Sequence, residues 1–165
     1  MSFGPFQLAR LDASHDRLGF RSDSEPLNRY LREQATQDIR RRLSACFVAT
    51  TDGRRIAGYY TLASASVLVA DLPVSTSKKL PRYPTMPTVR MGRLAVDQSF
   101  KGQGLGGALL ADALDRAADS EIAAFALMVD AKDEVAVAFY LHHGFIVLPD
   151  SPLKPFLPLA SPPRT

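Results

Sequence analysis

Past the middle of the chain, Lys101-Gly102-Gln103-Gly104-Leu105-Gly106-Gly107 carries four glycines within six positions. An apolar strand-like run, Arg93-Leu94-Ala95-Val96, precedes it, and a helix-like run from Ala108 to Ala118 follows. Glycine reaches positive φ cheaply and lets a ligand come close to the backbone. Several backbone N–H groups can then converge on one point, backed by the partial positive charge of a helix N-terminus. The natural guest of such a loop is a phosphate or pyrophosphate. On its own the pattern is equally that of a tight strand–helix connection. Two phosphate-binding motifs are excluded by the residues themselves. A P-loop ends in Gly-Lys-Ser or Gly-Lys-Thr, where this chain has Gly106-Gly107-Ala108. A dinucleotide fingerprint follows the first strand of a βαβ unit, and this loop comes too late.

The elements that position the loop follow from periodicity and turn residues. Gln7–Leu11 reads as a first strand. Ser22 or Ser24 caps a helix with Pro26 in its first turn, and Leu27, Tyr30, Leu31, Gln34 and Ala35 recur at helical spacing up to the run Arg40-Arg41-Arg42. Ala45–Thr50 and Ile56–Ser66 read as a hairpin turned at Asp52-Gly53. Leu72–Pro87, with four prolines, reads as an exposed loop, and Thr88–Val96 as the next strand. After the glycine loop come a helix to about Ser120, a strand at Ala123–Val129, a helix at Asp133–His142 capped by Asp133, and strands at Phe145–Leu148 and Pro155–Leu159. Hairpins followed by a βαβ unit give a mixed sheet with helices packed on it, an α/β architecture.

The chain has 165 residues, 46% apolar and 22% charged. That is enough for one domain with a real core, expected over residues 1–160, with a frayed tail at 161–165. Met1-Ser2-Phe3-Gly4-Pro5 lacks the regions of a signal peptide, and no apolar run approaches a membrane span. The single cysteine, Cys46, reads as a small buried hydrophobe. A cytoplasmic protein without a membrane partner is expected, and no set of metal ligands. Charge is unevenly spread. Residues 1–96 hold 15 Lys/Arg against 8 Asp/Glu, whereas residues 97–165 hold 5 against 9. From Leu72 to Val96 there are five bases, Lys78, Lys79, Arg82, Arg90 and Arg93, and no acid. Such a stretch suits a polyanionic partner as well as a solvated face.

The element order and two motifs resemble the GNAT superfamily of acyl-CoA N-acyltransferases. The first motif is Lys101-x-x-Gly104-x-Gly106 after Leu94-Ala95-Val96-Asp97. It departs from the family pattern in having Lys101 where Arg or Gln is usual, which keeps a donor able to face phosphate. The second is Ala138-Phe139-Tyr140-x-x-x-Gly144-Phe145. The resemblance covers residues 45–150 well. It implies the GNAT fold, a mixed, mostly antiparallel central sheet flanked by helices on both faces. It also implies acetyl-CoA as donor and CoA as product. Lys101, Gly102, Gln103, Gly104, Leu105, Gly106 and Gly107 would hold the pyrophosphate, and Leu94, Ala95 and Val96 the pantetheine arm, as an added strand would pair. Phe139 would touch the cofactor or simply pack, and Tyr140 would serve the departing thiolate. Asp97, Asp130 and Glu134 stand as candidates for a general base or for caps, and His142 and His143 read as structural.

Within the superfamily the chain is similar to the tRNA-acetylating toxins of type II toxin–antitoxin systems. Phe20-Arg21-Ser22, Leu27-Asn28-x-Tyr30-Leu31, Gly58-Tyr59-Tyr60-Thr61-Leu62, Gly92-Arg93-Leu94-Ala95-Val96-Asp97 and Leu127-Met128-Val129-Asp130-Ala131-Lys132 carry this. The likeness implies aminoacyl-tRNA as acceptor, a ribbon-helix-helix antitoxin as partner, and a homodimer. Lys78, Lys79, Arg82, Arg90 and Arg93 would then face the tRNA. An α-amine, with a pKa near ~7.7, needs less help from a base than a lysine amine. A protein N-terminus or small-molecule amine as acceptor, and a non-catalytic CoA- or nucleic-acid-binding module, stay open.

Overall fold

The computed structural model describes residues 2–3 and 5–159; the expected tail at 161–165 lies outside the described residues. The chain folds as two units, 1–63 with 93–113 and 64–92 with 114–165.

The first unit begins with strands β1 (Ser2–Phe3), β2 (Phe6–Arg10), β3 (Ala45–Thr50) and the start of β4 (Ile56–Leu68), paired antiparallel in that order. Asp52 makes the β3–β4 turn by accepting hydrogen bonds from the N–H groups of Arg54 and Arg55, both 2.8 Å, while Gly53 takes φ +81. This is the expected hairpin. Between β2 and β3 lie helices α1 (Glu25–Glu33) and α2 (Ala35–Arg40). Ser24 caps α1 by accepting from Leu27 N–H, and Pro26 sits in the first turn, where no donor is needed. Their apolar stripe of Tyr30, Leu31 and Ala35 joins Phe20, Cys46, Val48, Ile56, Tyr59 and Ala95 in one core cluster. Burial pushes the Cys46 thiol up to about 12, so it is an inert core residue. Gly58 permits a close approach: a Cβ there would stand 2.8 Å from a Leu109 methyl and 3.0 Å from the carbonyl oxygen of Ala95. The end of strand β5 (Thr85–Val96), the glycine loop and the start of helix α4 (Leu105–Asp119) complete this unit.

In the second unit, β5 runs parallel to β6 (Ala126–Val129), which pairs antiparallel with β8 (Ser151–Pro158), and β8 with β7 (Ile146–Leu148). Val67, Leu72, Met86, Ala126, Met128, Leu148 and Phe156 form its core. Helix α5 (Glu134–His142) is capped by Asp133, whose carboxylate accepts from Ala136 N–H at 2.8 Å.

Several boundaries differ from the sequence reading, among them β6, which begins at Ala126 where Ala123 is expected. The loop expected over Leu72–Pro87 contains a helical turn, α3 (Val74–Ser77), and β5 begins at Thr85. Pro73 starts the turn because its fixed φ suits a helix entrance and its carbonyl accepts from the N–H groups of Thr76 and Ser77. Strand β8 starts at Ser151, ahead of the expected Pro155. Pro152 and Pro155 are tolerated because the segment Ser151–Pro155 has its ladder partners in β7, across a register irregularity at Val147/Leu148, and Pro158 is the last residue of the strand.

Candidate functional site

The glycine loop lies wholly in the first unit. Residues 101–104 are exposed, and Gly102 and Gly104 take φ +77 and +76, the left-handed region that side chains resist. A Cβ at either position meets nothing within 4 Å, so the glycines serve backbone shape, not crowding. The first helical bond of α4 runs from Ala108 N–H to Gly104 C=O. The amides of Leu105, Gly106 and Gly107 therefore stand in the first turn, where helices leave donors without intrahelical acceptors. That donor set, with Lys101 at the loop entrance, fits a pyrophosphate. On the strand before it, Ala95 is buried in the core while Leu94 and Val96 are half-buried. The parallel ladder with β6 covers Thr88–Met91 and stops before Leu94.

What holds the loop in place was only partly visible in the sequence. Asp97 is 2% exposed. Its carboxylate accepts from Arg21 N–H at 2.9 Å and from Ser99 N–H at 2.8 Å, and lies 3.8 Å from the Arg55 guanidinium. Gln98 N–H donates to Arg21 C=O at 2.8 Å, and the Gln98 amide donates to Asp23, which also pairs with Lys101. Residues 20–24 thus form a clamp on the loop entrance, kept in shape by Asn28, whose side-chain oxygen accepts from Ser22 N–H and Oγ–H. Phe20-Arg21-Ser22, Asn28 and Asp97 are scattered in the chain and become one structural device. Among the candidate bases, Asp97 is committed to this clamp. Asp97→Ala leaves two N–H groups without their acceptor, which costs about 1–3 kcal/mol. A thermal melt should show the loss, and acetyl-CoA titration should show weaker binding.

The second unit holds Tyr140, 5% exposed. Helix α5 ends just after it in a Schellman motif. Gly144, at φ +90, donates to Leu141 C=O at 3.0 Å, and Phe145 N–H donates to Tyr140 C=O at 3.1 Å. The Phe145 ring closes the motif against the Tyr140 ring, centroids 5.4 Å apart, and Phe139 meets the Tyr140 ring edge-on at 5.2 Å. The spacing Tyr140-x-x-x-Gly144-Phe145 is therefore the spacing of a helix stop that fixes one phenol. Tyr30, Tyr59 and Tyr60 each donate their hydroxyl, to Asp38, Leu27 C=O and Asp112 respectively. Among the described residues none takes the Tyr140 hydroxyl. Burial, and then the charge of Asp130, raises the Tyr140 pKa above the ordinary phenol value, so the group stays protonated at neutral pH.

The remaining candidates separate. Asp130 lies 3.7 Å from Arg90, and Glu134 is the exposed first residue of α5. The His143 ring packs on Phe139 at 4.6 Å and its Nδ1 meets Phe139 C=O at 2.9 Å, a structural place. Of the expected tRNA-facing cations, Lys78, Lys79 and Arg82 belong to the second unit, where all three are exposed. Arg93 belongs to the first, where its guanidinium lies 3.5 Å over the Tyr30 ring. Residue spacing gave no sign of that stacking.

Comparison with known proteins shows the family of the chain. A family model described as the acetyltransferase (GNAT) family matches residues 10–145. A tRNA-acetylating toxin of Mycobacterium tuberculosis is 40% identical over 147 residues, covering 87% of this chain and 86% of that protein. Among solved structures, AtaT complexed with acetyl-methionyl-tRNAfMet is 33% identical, with TM-score 0.84 over 93% of this chain and 94% of that one. A tyrosine-to-phenylalanine mutant of AtaT, bound to the C-terminus of the antitoxin AtaR and acetyl-CoA, is 26% identical, with TM-score 0.78 over 94% of each chain.

Proposed function

The chain belongs to the acetyltransferase (GNAT) family, and from that premise we propose that it is a toxin that acetylates the α-amine of aminoacyl-tRNA and so blocks translation. As a GNAT protein it has the GNAT fold and is an N-acetyltransferase that uses acetyl-CoA. The observation that carries the catalytic reading is the Tyr140 hydroxyl, on a ring locked by a helix stop and unclaimed by any described residue.

Acetyl-CoA supplies a thioester whose C–S bond breaks as the amine nitrogen forms its bond to the carbonyl carbon. The amides from Gly102 to Gly107, with Lys101, bind the pyrophosphate and fix the donor. Backbone groups of Leu94, Ala95 and Val96 align its arm. Phe139 packs against it. Tyr140 gives a hydrogen bond to the sulfur as negative charge builds there. Full proton transfer from an ordinary phenol to a thiolate is uphill by about 2 kcal/mol at reference pKa values, and the raised pKa makes it more so. Tyr140 therefore acts by donation, and solvent takes the proton the amine loses. A low-pKa α-amine suits a site whose carboxylate Asp97 is already committed.

Lys78, Lys79, Arg82 and Arg90 supply positive charge for the tRNA backbone. Arg93 belongs to the same acid-free stretch and reaches the tRNA only by leaving Tyr30. An antitoxin partner is supported by the AtaT structure bound to the C-terminus of its antitoxin AtaR; in this reading that partner is of the ribbon-helix-helix type, and the chain works as a homodimer. No helix among the described residues is long and apolar enough to cross a membrane, and the cytoplasm, where charged tRNA is found, is its place of action. Expression without an antitoxin should stop growth within a few generations, and co-expression of the cognate antitoxin should restore it. Unimpaired growth on strong expression would contradict the toxin reading.

A further inference from the structure

Of the five tyrosines, Tyr30, Tyr59, Tyr60 and Tyr140 are buried, and each ring packs against another ring. Tyr83 is 63% exposed. It sits in Pro81-Arg82-Tyr83-Pro84, close in sequence to Lys78, Lys79 and Arg82, in the stretch that carries no acid. An exposed ring has a cost in water, and among the described residues no other ring packs against this one.

The segment that carries the ring is well anchored. Leu72 is buried in the core of the second unit, and Leu80 and Val69 pack against that core. Val69 N–H donates to Pro84 C=O at 3.0 Å, and Tyr83 N–H donates to Pro81 C=O at 2.8 Å. Two prolines bracket the ring and fix φ on either side of it. The backbone is thus held before any ligand arrives, which lowers the ordering cost of binding.

A rigid aromatic face beside several cations is the combination that binds single-stranded nucleic acid, with the ring under a base and the cations on phosphates. We propose that Tyr83 is a stacking platform for an unpaired base near the 3′ end of the charged tRNA, with Lys78, Lys79 and Arg82 on the adjoining phosphates. This rests on the reading of charged tRNA as substrate. A duplex keeps its bases stacked on one another and offers no free face, so the single-stranded end that carries the amino acid is the part of the tRNA that fits.

Steady-state acetylation of total aminoacylated bacterial tRNA by the full-length protein tests this. Tyr83→Ala should raise KM for charged tRNA about tenfold, with kcat and acetyl-CoA affinity unchanged. Tyr83→Phe, which keeps the face and loses only the hydroxyl, should retain the wild-type KM. The dependence of log KM on log salt should keep its slope in Tyr83→Ala and become shallower by about one in Arg82→Gln, which removes a phosphate contact. An unchanged KM in Tyr83→Ala together with a raised KM in Arg82→Gln overturns the stacking role and leaves the tRNA reading standing. A Tyr83→Phe defect equal to that of alanine also overturns it. Failure of the wild-type protein to acetylate any charged tRNA overturns the reading and this inference with it.

Discussion

Tyr140→Phe is expected to lower kcat for acetyl transfer by about 10²- to 10³-fold, the usual range for a lost hydrogen-bond donor to developing negative charge. Acetyl-CoA affinity should be unchanged, because the phenyl ring that packs on Phe145 and Phe139 remains. Folding should also be unchanged. The hydroxyl donates to no described residue, so its removal leaves no protein group without a partner. The melting temperature separates this outcome from a packing defect: Tyr140→Ala should lower both rate and stability, and Tyr140→Phe the rate alone. The pH profile gives a second check. Burial and Asp130 raise the phenol pKa, so the protonated form persists above the pH at which an ordinary tyrosine ionises. The rate should rise with pH as the acceptor amine loses its proton, near ~7.7 for an α-amine. It should then stay level through about pH 10, where an ordinary phenol ionises. A descending limb near that pH, absent from Tyr140→Phe, would contradict the assigned state.

Gly104→Val should abolish useful acetyl-CoA binding. Valine at φ +76 is strained by about 1–3 kcal/mol, and the loop relieves that strain by turning its amides away from their common focus. At least a tenfold weaker Kd follows, about 1.4 kcal/mol, read by calorimetry. Because a Cβ at Gly104 meets no atom within 4 Å, crowding does not enter, and Gly104→Ala should show the same loss in smaller measure. Gly53 offers an internal control. It has φ +81 and an equally open surround, but lies in the β3–β4 turn. Gly53→Val should cost similar stability and leave the Kd for acetyl-CoA unchanged. Equal loss of binding in both variants would mean that the glycine loop acts through stability and does not cradle the ligand.

The parts of this molecule legible in its sequence are those encoded locally. Four closely spaced glycines announce a loop of unusual backbone, Ser24 and Asp133 announce helix starts, and Asp52-Gly53 announces a hairpin. Tyr140-x-x-x-Gly144-Phe145 was recognisable as a motif, but its physical sense as a helix stop holding a phenol needed the hydrogen bonds of Gly144 and Phe145. The long-range clamp was not legible. Arg21 and Asp97 are 76 residues apart, and no periodicity links a backbone N–H to a carboxylate at that distance. In the sequence Arg93 reads as one more cation in a basic stretch, whereas tertiary packing lays it over Tyr30. Prolines hid the start of β8 and the α3 turn, because a proline marks a loop locally but is allowed at a helix entrance or where a strand pairs on one side.

The central claim is transfer of acetyl to the α-amine of an amino acid esterified to tRNA. Incubation of the protein with labelled acetyl-CoA and total aminoacylated tRNA tests it most directly. The label should precipitate with tRNA, be released by mild alkali as an N-acetyl amino acid, and be missing when the tRNA has first been deacylated. Label that stays with deacylated tRNA, or that appears only on peptides or small amines while charged tRNA is untouched, would contradict it.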